Sequence, residues 1–367
     1  MHTMRESRFH STPTEFMSVR KSAQSKQLDE LCERDLTDNF RLTGWSYIAN
    51  KEDFRLLRPR IQDIPEVAIV VQGGITSLNL TVFMIKRYAA LYPSSPIIIS
   101  TWTDTNEREI SALKELQRVY RNLHILLNEK PAFGGYGEMN TNLQIWSSLQ
   151  GLKYAKAIGV SFALKQRTDI VMGSLEFLNT LLLFHQYFSS GKYVSQEGKI
   201  VVGSMNSYRC RPFSVSDHFS FGRINDMIMM WDLEMPTSNE TRRAISIKQR
   251  TGHEQDPIFE GDVQHLHWSA KPVMMDEAYL VSNLMKAANI AYSYDWNDSK
   301  RFIARAFIVI DTSSLEIYWQ KYGCALAASK FRNEAIPNFA DSRFGQSEIS
   351  FTEWLSWHLE FCRDLPE

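Results

Sequence analysis

Two apolar runs, Val67-Ala-Ile-Val-Val-Gln-Gly-Gly-Ile75 and Pro96-Ile-Ile-Ile-Ser-Thr-Trp-Thr103, constrain this chain more than anything else in it. Neither alternates apolar with polar residues. A strand that is apolar on both sides must be covered on both sides, which is the condition of a parallel sheet with helices on its two faces. Between the runs, Leu80, Phe83, Met84, Tyr88 and Leu91 recur at helical spacing until Pro93 stops the pattern. Strand, helix and strand in this order predict a right-handed βαβ unit.

The alternation continues. Ile110, Leu113, Leu116 and Val119 mark a helix over roughly 107–120, and His124-Ile-Leu-Leu127 reads as a third strand. A glycine-rich loop, Phe133-Gly-Gly-Tyr-Gly137, then precedes a helix over 140–157 that feeds another buried strand, ending in Phe162-Ala-Leu-Lys-Gln-Arg-Thr-Asp-Ile170. The expected fold is α/β, a doubly wound, mostly parallel sheet with helical N- and C-terminal elaborations. The second half is less regular. It reads as a helix over 174–188, a strand Ile200-Val-Val-Gly203, a loop from Asp217 into a Met-rich helix ending at Trp231, and a charged flap over 234–253. A helix over 276–288 and a strand Phe307-Ile-Val-Ile310 follow. Three regions result: an arm with a helical extension over 1–64, a catalytic domain over 65–290, and an α/β elaboration packed on it over 291–367.

Composition removes several classes. Lys plus Arg number 41 against 42 Asp plus Glu, a formal net charge of -1 that gives no footprint for nucleic acid. Cys32, Cys210, Cys324 and Cys362 lie far apart without CxxC spacing, which argues against a zinc knuckle and for a reducing, cytoplasmic compartment. Met1 to Arg20 is polar, with no apolar stretch of a signal peptide or anchor, so any membrane association is expected to be peripheral, at the inner face.

Ligands of doubly wound sheets bind beyond the carboxyl ends of the strands, where the fourth run presents Arg167 and then Asp169. These two suit a phosphate and a divalent cation, Mn²⁺ or Mg²⁺, sharing one site. His265 and His267 alternate as strand residues do, but without a carboxylate or thiolate at defined spacing they read as an ordinary histidine pair.

Three phrases taken in order resemble the WavE lipopolysaccharide-synthesis family over roughly Val67 to Leu284. They are Val70-Val-Gln-Gly-Gly-Ile75, Ile97-Ile-Ile-Ser-Thr-Trp102, and Asn142-Leu-Gln144 leading through a helix to Leu164-Lys-Gln-Arg-Thr-Asp169. The chain departs from the pattern at Gly74, where a proline is expected, and it has one aspartate in place of the Asp-x-Asp of GT-A enzymes. The resemblance implies a sheet of GT-A (Rossmann-like nucleotide-sugar) type and a glycosyltransferase. Its partners would be a nucleotide sugar and an oligosaccharide or lipid-linked saccharide acceptor of a surface polysaccharide or lipopolysaccharide.

Under that resemblance the residues take roles. Gln72, Gly73 and Gly74 would let backbone N–H groups approach the nucleotide, and Thr101, Trp102 or Asp104 would meet uridine or ribose. Asn142 and Gln144 can donate and accept toward sugar hydroxyls or phosphate oxygens. Arg167 offers a forked contact to diphosphate and Asp169 a ligand to the cation. Asp217 lies in a polar Ser-Asp-His triplet between phenylalanines, where desolvation is expected to raise its pKa and make it the acceptor base. Glu277 is the rival base. Two other readings use the same residues: a nucleotidyl- or phosphotransferase, and a carbohydrate-assembly protein without catalysis.

Overall fold

In a computed structural model of the chain, the described residues are 64, 66–131, 140–189, 195–207, 213–233, 280–281, 284–285, 296–319, 324–325 and 348–362. All belong to the compact unit Pro59–Glu367. Glu277, His265, His267, the glycine-rich loop, most of the arm and the charged flap lie outside the described residues.

The predicted βαβ unit is present. β1 (Val67–Gln72) and β2 (Ile97–Trp102) are buried at every residue and pair in parallel, with α1 (Leu78–Leu91) between them. Ser77 caps α1 by accepting from the Leu80 N–H at 3.3 Å. α2 (Glu107–Val119) is capped by Asn106, whose side chain accepts from the Arg108 N–H at 2.9 Å. Then follow β3 (Leu123–Asn128), α3 (Thr141–Ala157), β4 (Phe162–Arg167), β5 (Ile170–Met172), α4 (Phe177–Phe188) and β6 (Ile200–Gly203). β7 (Phe219–Arg223) leads directly into α5 (Ile224–Trp231). α6 (Trp296–Ala306), β8 (Phe307–Ile310), β9 (Ile317–Trp319), β10 (Cys324–Ala325) and α7 (Phe351–Cys362) follow later in the chain.

The main sheet has seven strands in the order β3-β2-β1-β4-β7-β6-β8. β7 is antiparallel to both its neighbours, and every other pairing is parallel. The sheet is therefore doubly wound and mostly parallel. Two positions differ from the sequence reading: the expected loop after Asp217 becomes a strand at Phe219, and β4 ends at Arg167 rather than Asp169. Phe219-Ser-Phe-Gly-Arg223 is too short to distinguish from a loop by periodicity, and its strand character comes from pairing with β4. A second sheet, β10-β9-β5, is antiparallel and begins where β4 turns into β5.

Strand alternation sorts the helices onto two faces. Val70, Gln72, Ser100, Lys165 and Ser220 share one face by register. On this side Ser147 of α3 donates to Gln72 Oε1 at 2.7 Å and Trp231 of α5 donates to Ser220 Oγ at 3.3 Å. Gln166 and Phe162 project from the other side. There Tyr88 of α1 donates to Gln166 Oε1 at 3.2 Å, and His185 of α4 meets the Phe162 ring edge-on at 5.2 Å. α3 comes so close to the sheet that a Cβ on Gly151 would stand 2.4 Å from Val70 Cγ1.

Candidate functional site

Register decides what meets at the rim of the sheet. Gln72 of β1 pairs with Arg167 of β4, so these two strands end level, and with Ser100 of β2, which runs on to Trp102. Because β7 runs the other way, its beginning lies beside the end of β4, with Gln166 opposite Phe219. Asp217 and His218 are thereby delivered next to Arg167, Thr168 and Asp169. Residues far apart in sequence come together through alignment of backbone.

The loop after β1 is tied down. Gly73 has φ +111°, a conformation that favours glycine, and its N–H donates to the Ser100 carbonyl at 3.0 Å. Thr168 holds the same loop from the β4 side, donating its hydroxyl to the Gly74 carbonyl at 2.6 Å and its N–H to the Gln72 carbonyl at 3.1 Å. Gln72 is buried and occupied by Ser147. Gly74 approaches the ring of Trp102, whose Cδ1 would be 3.9 Å from a Cβ there. Trp102 and Thr101 are buried at the end of β2, and the Thr101 hydroxyl lies 3.2 Å from that of Thr105. Asp104, just beyond, is exposed and pairs with Lys130 at 2.6 Å.

The helix-borne candidates take different places. Asn142 is buried in the first turn of α3, behind Asn140, which adopts φ 64° and makes no side-chain cap. Gln144 reaches across to the antiparallel strand, donating from Nε2 to Asp217 Oδ2 at 2.7 Å and to the Asp217 carbonyl at 3.3 Å. It holds a carboxylate in place.

The charged groups form one cluster. Arg167 forks onto Asp169, Nε to Oδ1 at 2.8 Å and Nη2 to Oδ2 at 2.9 Å, and Trp319 Nε1 also donates to Oδ2 at 2.9 Å. Burial alone would raise the Asp169 carboxyl, but hydrogen bonds and charge from Arg167, with the Trp319 bond, outweigh it and hold the group below the ordinary value. The Trp319 ring also takes His218 edge-on at 4.4 Å. His218 lies 3.3 Å from Asp217 Oδ1, and burial lowers it to about 4. Lys165 Nζ donates to the Asp217 carbonyl at 2.6 Å from a fully buried position.

Asp217 corrects the expectation drawn from its phenylalanine neighbours. Burial pushes the carboxyl up, but His218, Lys165, Arg167 and the Gln144 hydrogen bond together pull it down to about 2. It is a fixed anion at neutral pH, well below the range that suits a general base. Nor does it cap the following helix, whose N-cap is Arg223.

The residues around Asp169 do not fit a divalent cation as they stand. Both carboxylate oxygens accept from Arg167 or Trp319, and among the described residues no three His, Cys, Asp or Glu side chains converge as ligands. Sequence reasoning missed Lys165 and Trp319 as members of the site. Lysine within an otherwise buried strand was a usable signal for the first. Nothing local marks Trp319, which arrives because β9 pairs with β5, Trp319 opposite Ile170.

Residues 67–321 match the family described as WavE lipopolysaccharide synthesis. No curated protein matches the chain. Among solved structures it is similar to the mannosyltransferase PcManGT from Pyrobaculum calidifontis in complex with GDP-Man and Mn²⁺, at 11% identity and TM-score 0.32, covering 90% of this chain and 96% of that one. It is also similar to a cytidylyltransferase from Leptospira borgpetersenii, at 11% identity and TM-score 0.31, covering 65% and 93%. A glycosyltransferase involved in glycosylation of the major capsid of PBCV-1 matches at 9% identity and TM-score 0.27, covering 51% and 79%. Among the described residues, no helix is long and apolar enough to cross a membrane.

Proposed function

This chain belongs to the WavE lipopolysaccharide-synthesis family, and from that premise we propose that it is a glycosyltransferase of GT-A type. It moves a sugar from a nucleotide donor to a surface polysaccharide or lipopolysaccharide acceptor, at the cytoplasmic side of the membrane. The observation that carries this reading is the meeting of Arg167 and Asp217 at one rim of the sheet, one group for each end of the transferred bond.

Glycosyl transfer leaves negative charge on the departing phosphate and positive charge at the anomeric carbon. Arg167 is the group for the phosphate. Its guanidinium is aimed by the fork onto Asp169, and its side chain is 29% exposed at the rim. The loop Gln72-Gly-Gly74 and the end of β2 at Thr101, Trp102 and Asp104 form the nucleotide side, with Asn142 in the first turn of α3 beside them. Asp217 faces the acceptor. As a carboxylate that stays ionised, it accepts a hydrogen bond from the attacking hydroxyl and orients it, and Glu277, outside the described residues, is the candidate for taking the proton. No step is assigned to a metal ion.

Calorimetric titration with UDP-, GDP- and CMP-sugars, with and without Mn²⁺, tests the donor assignment. Product analysis tests the reaction. Glycosyl transfer releases a free nucleoside phosphate or diphosphate, whereas nucleotidyl transfer from a triphosphate releases pyrophosphate. Binding without turnover would favour an assembly protein.

A further inference from the structure

Burying an ammonium group costs several kcal/mol unless it is well paired, yet Lys165 is 0% exposed in the middle of β4. Its Nζ donates to the Asp217 carbonyl at 2.6 Å and lies 4.0 Å from the centroid of the Trp231 ring. Both partners follow from register. Lys165 stands opposite Ser220 across the β4–β7 pairing, and the Trp231 indole that donates to Ser220 covers the same face. A methionine would fill this space without the desolvation cost, so packing alone does not account for a lysine here.

The groups that face the Asp217 carboxylate come from two elements and from the next residue in the chain. β4 supplies Lys165 and Arg167, α3 supplies Gln144, and the chain itself supplies His218. Gln144 and Lys165 both hold the Asp217 main-chain carbonyl as well, at 3.3 Å and 2.6 Å. The residue is thus gripped at its backbone and its side chain together. We propose that Lys165 is a positioning residue, which clamps the Asp217 backbone from behind and so holds its carboxylate in one orientation toward the acceptor. This rests on the glycosyltransferase reading, in which Asp217 faces the acceptor and Lys165 touches no substrate. Burial lowers Lys165 to about 7 and the charge of Asp217 raises it, so each group steadies the ionisation of the other.

Lys165→Met and Lys165→Gln test the assignment in the full-length protein. Lys165→Met should bind UDP and GDP within about threefold of the parent while kcat falls at least about tenfold, because an interaction on the acceptor side is lost and the donor side is kept. Removing the cation lets the Asp217 carboxyl rise, so the acid limb of the kcat profile should move up. Lys165→Gln keeps a donor for the carbonyl without the charge, and should recover part of kcat but not the acid limb. A folded Lys165→Met protein with unchanged kcat and acid limb overturns the proposal, as does a loss confined to nucleotide affinity. Should Lys165→Met not fold, ¹⁵N-lysine NMR of the parent and of Asp217→Asn decides. The Nζ of Lys165 should titrate lower in Asp217→Asn, and equal titration in the two proteins overturns the coupling. That comparison needs no turnover. A parent that transfers no sugar defeats the glycosyltransferase reading, while the NMR result still decides the Lys165–Asp217 coupling.

Discussion

At Asp217 one desolvated carboxyl is set against two cations, a histidine and an amide donor, and the donors win. A base held near 2 gains little from proton transfer at neutral pH, so Asp217→Asn should lower kcat by about 10- to 100-fold, at or below the low end of general-base effects. Steady-state kinetics on the acceptor checks this. A loss near 10⁴, the top of the general-base range, would make Asp217 the base, and a larger loss in Glu277→Gln assigns the proton to the rival. Asp169 invites a second measurement. Because Arg167 and Trp319 occupy its oxygens, Mn²⁺ should change nucleoside-diphosphate affinity equally in the parent and in Asp169→Asn. A manganese effect abolished only in the variant would put the ion on that carboxylate. The short sequence around Arg167 and Asp169 was enough to place them at the rim. It did not reveal that they pair with each other, since that depends on side-chain directions at the β4–β5 turn.

α3 is the element on which the site most depends, since it carries Gln144 and Ser147 and lies against β1 and β2. Its approach is set by Gly151. A methyl group there meets Val70 at 2.4 Å and Ser100 Cβ at 3.2 Å, so Gly151→Ala should cost about 1–3 kcal/mol by overpacking and push the helix off the sheet. Denaturant unfolding would show the loss, and activity should fall with it as Gln144 moves from Asp217. An unchanged midpoint would mean that the helix–sheet contact yields freely. Elements of this kind were legible in the sequence where a helical period is long, as in α1 and α2, or where an apolar run is unbroken, as in β1 and β2. β7 and β9 were not, because a few residues carry no period and their strand character comes from partners far along the chain.

For the whole molecule, acid should be destabilising well above the range in which carboxylates titrate. Burial lowers His185, His218 and His358 each to about 4, so the unfolded chain binds more protons between about 4 and 6.5, and stability is lost as pH falls through that window. Asp226 opposes them. Burial raises it to about 6 although the Glu197 and Gly198 N–H groups donate to it, so its contribution is present at low pH and lost as pH rises through about 6. Among the described residues burial also lowers His124, so four histidines stand against Asp226; the melting temperature followed by circular dichroism should fall from pH 6.5 to 4.5, and Asp226→Asn should steepen the fall. A flat profile would show that the histidines are accessible in the native state. The reversed direction of β7 decides which part of the chain reaches the rim from the far side. Along the rim, the ends of β1, β2 and β4 belong to one half of the chain, whereas Asp217 hangs from a connection that enters from the other side. Residues 213–218 are buried throughout and tied to Ser299, Ser207, Gln144 and Lys165, so a change of length in this one connection would displace Asp217 and leave the ends of β1, β2 and β4 in register.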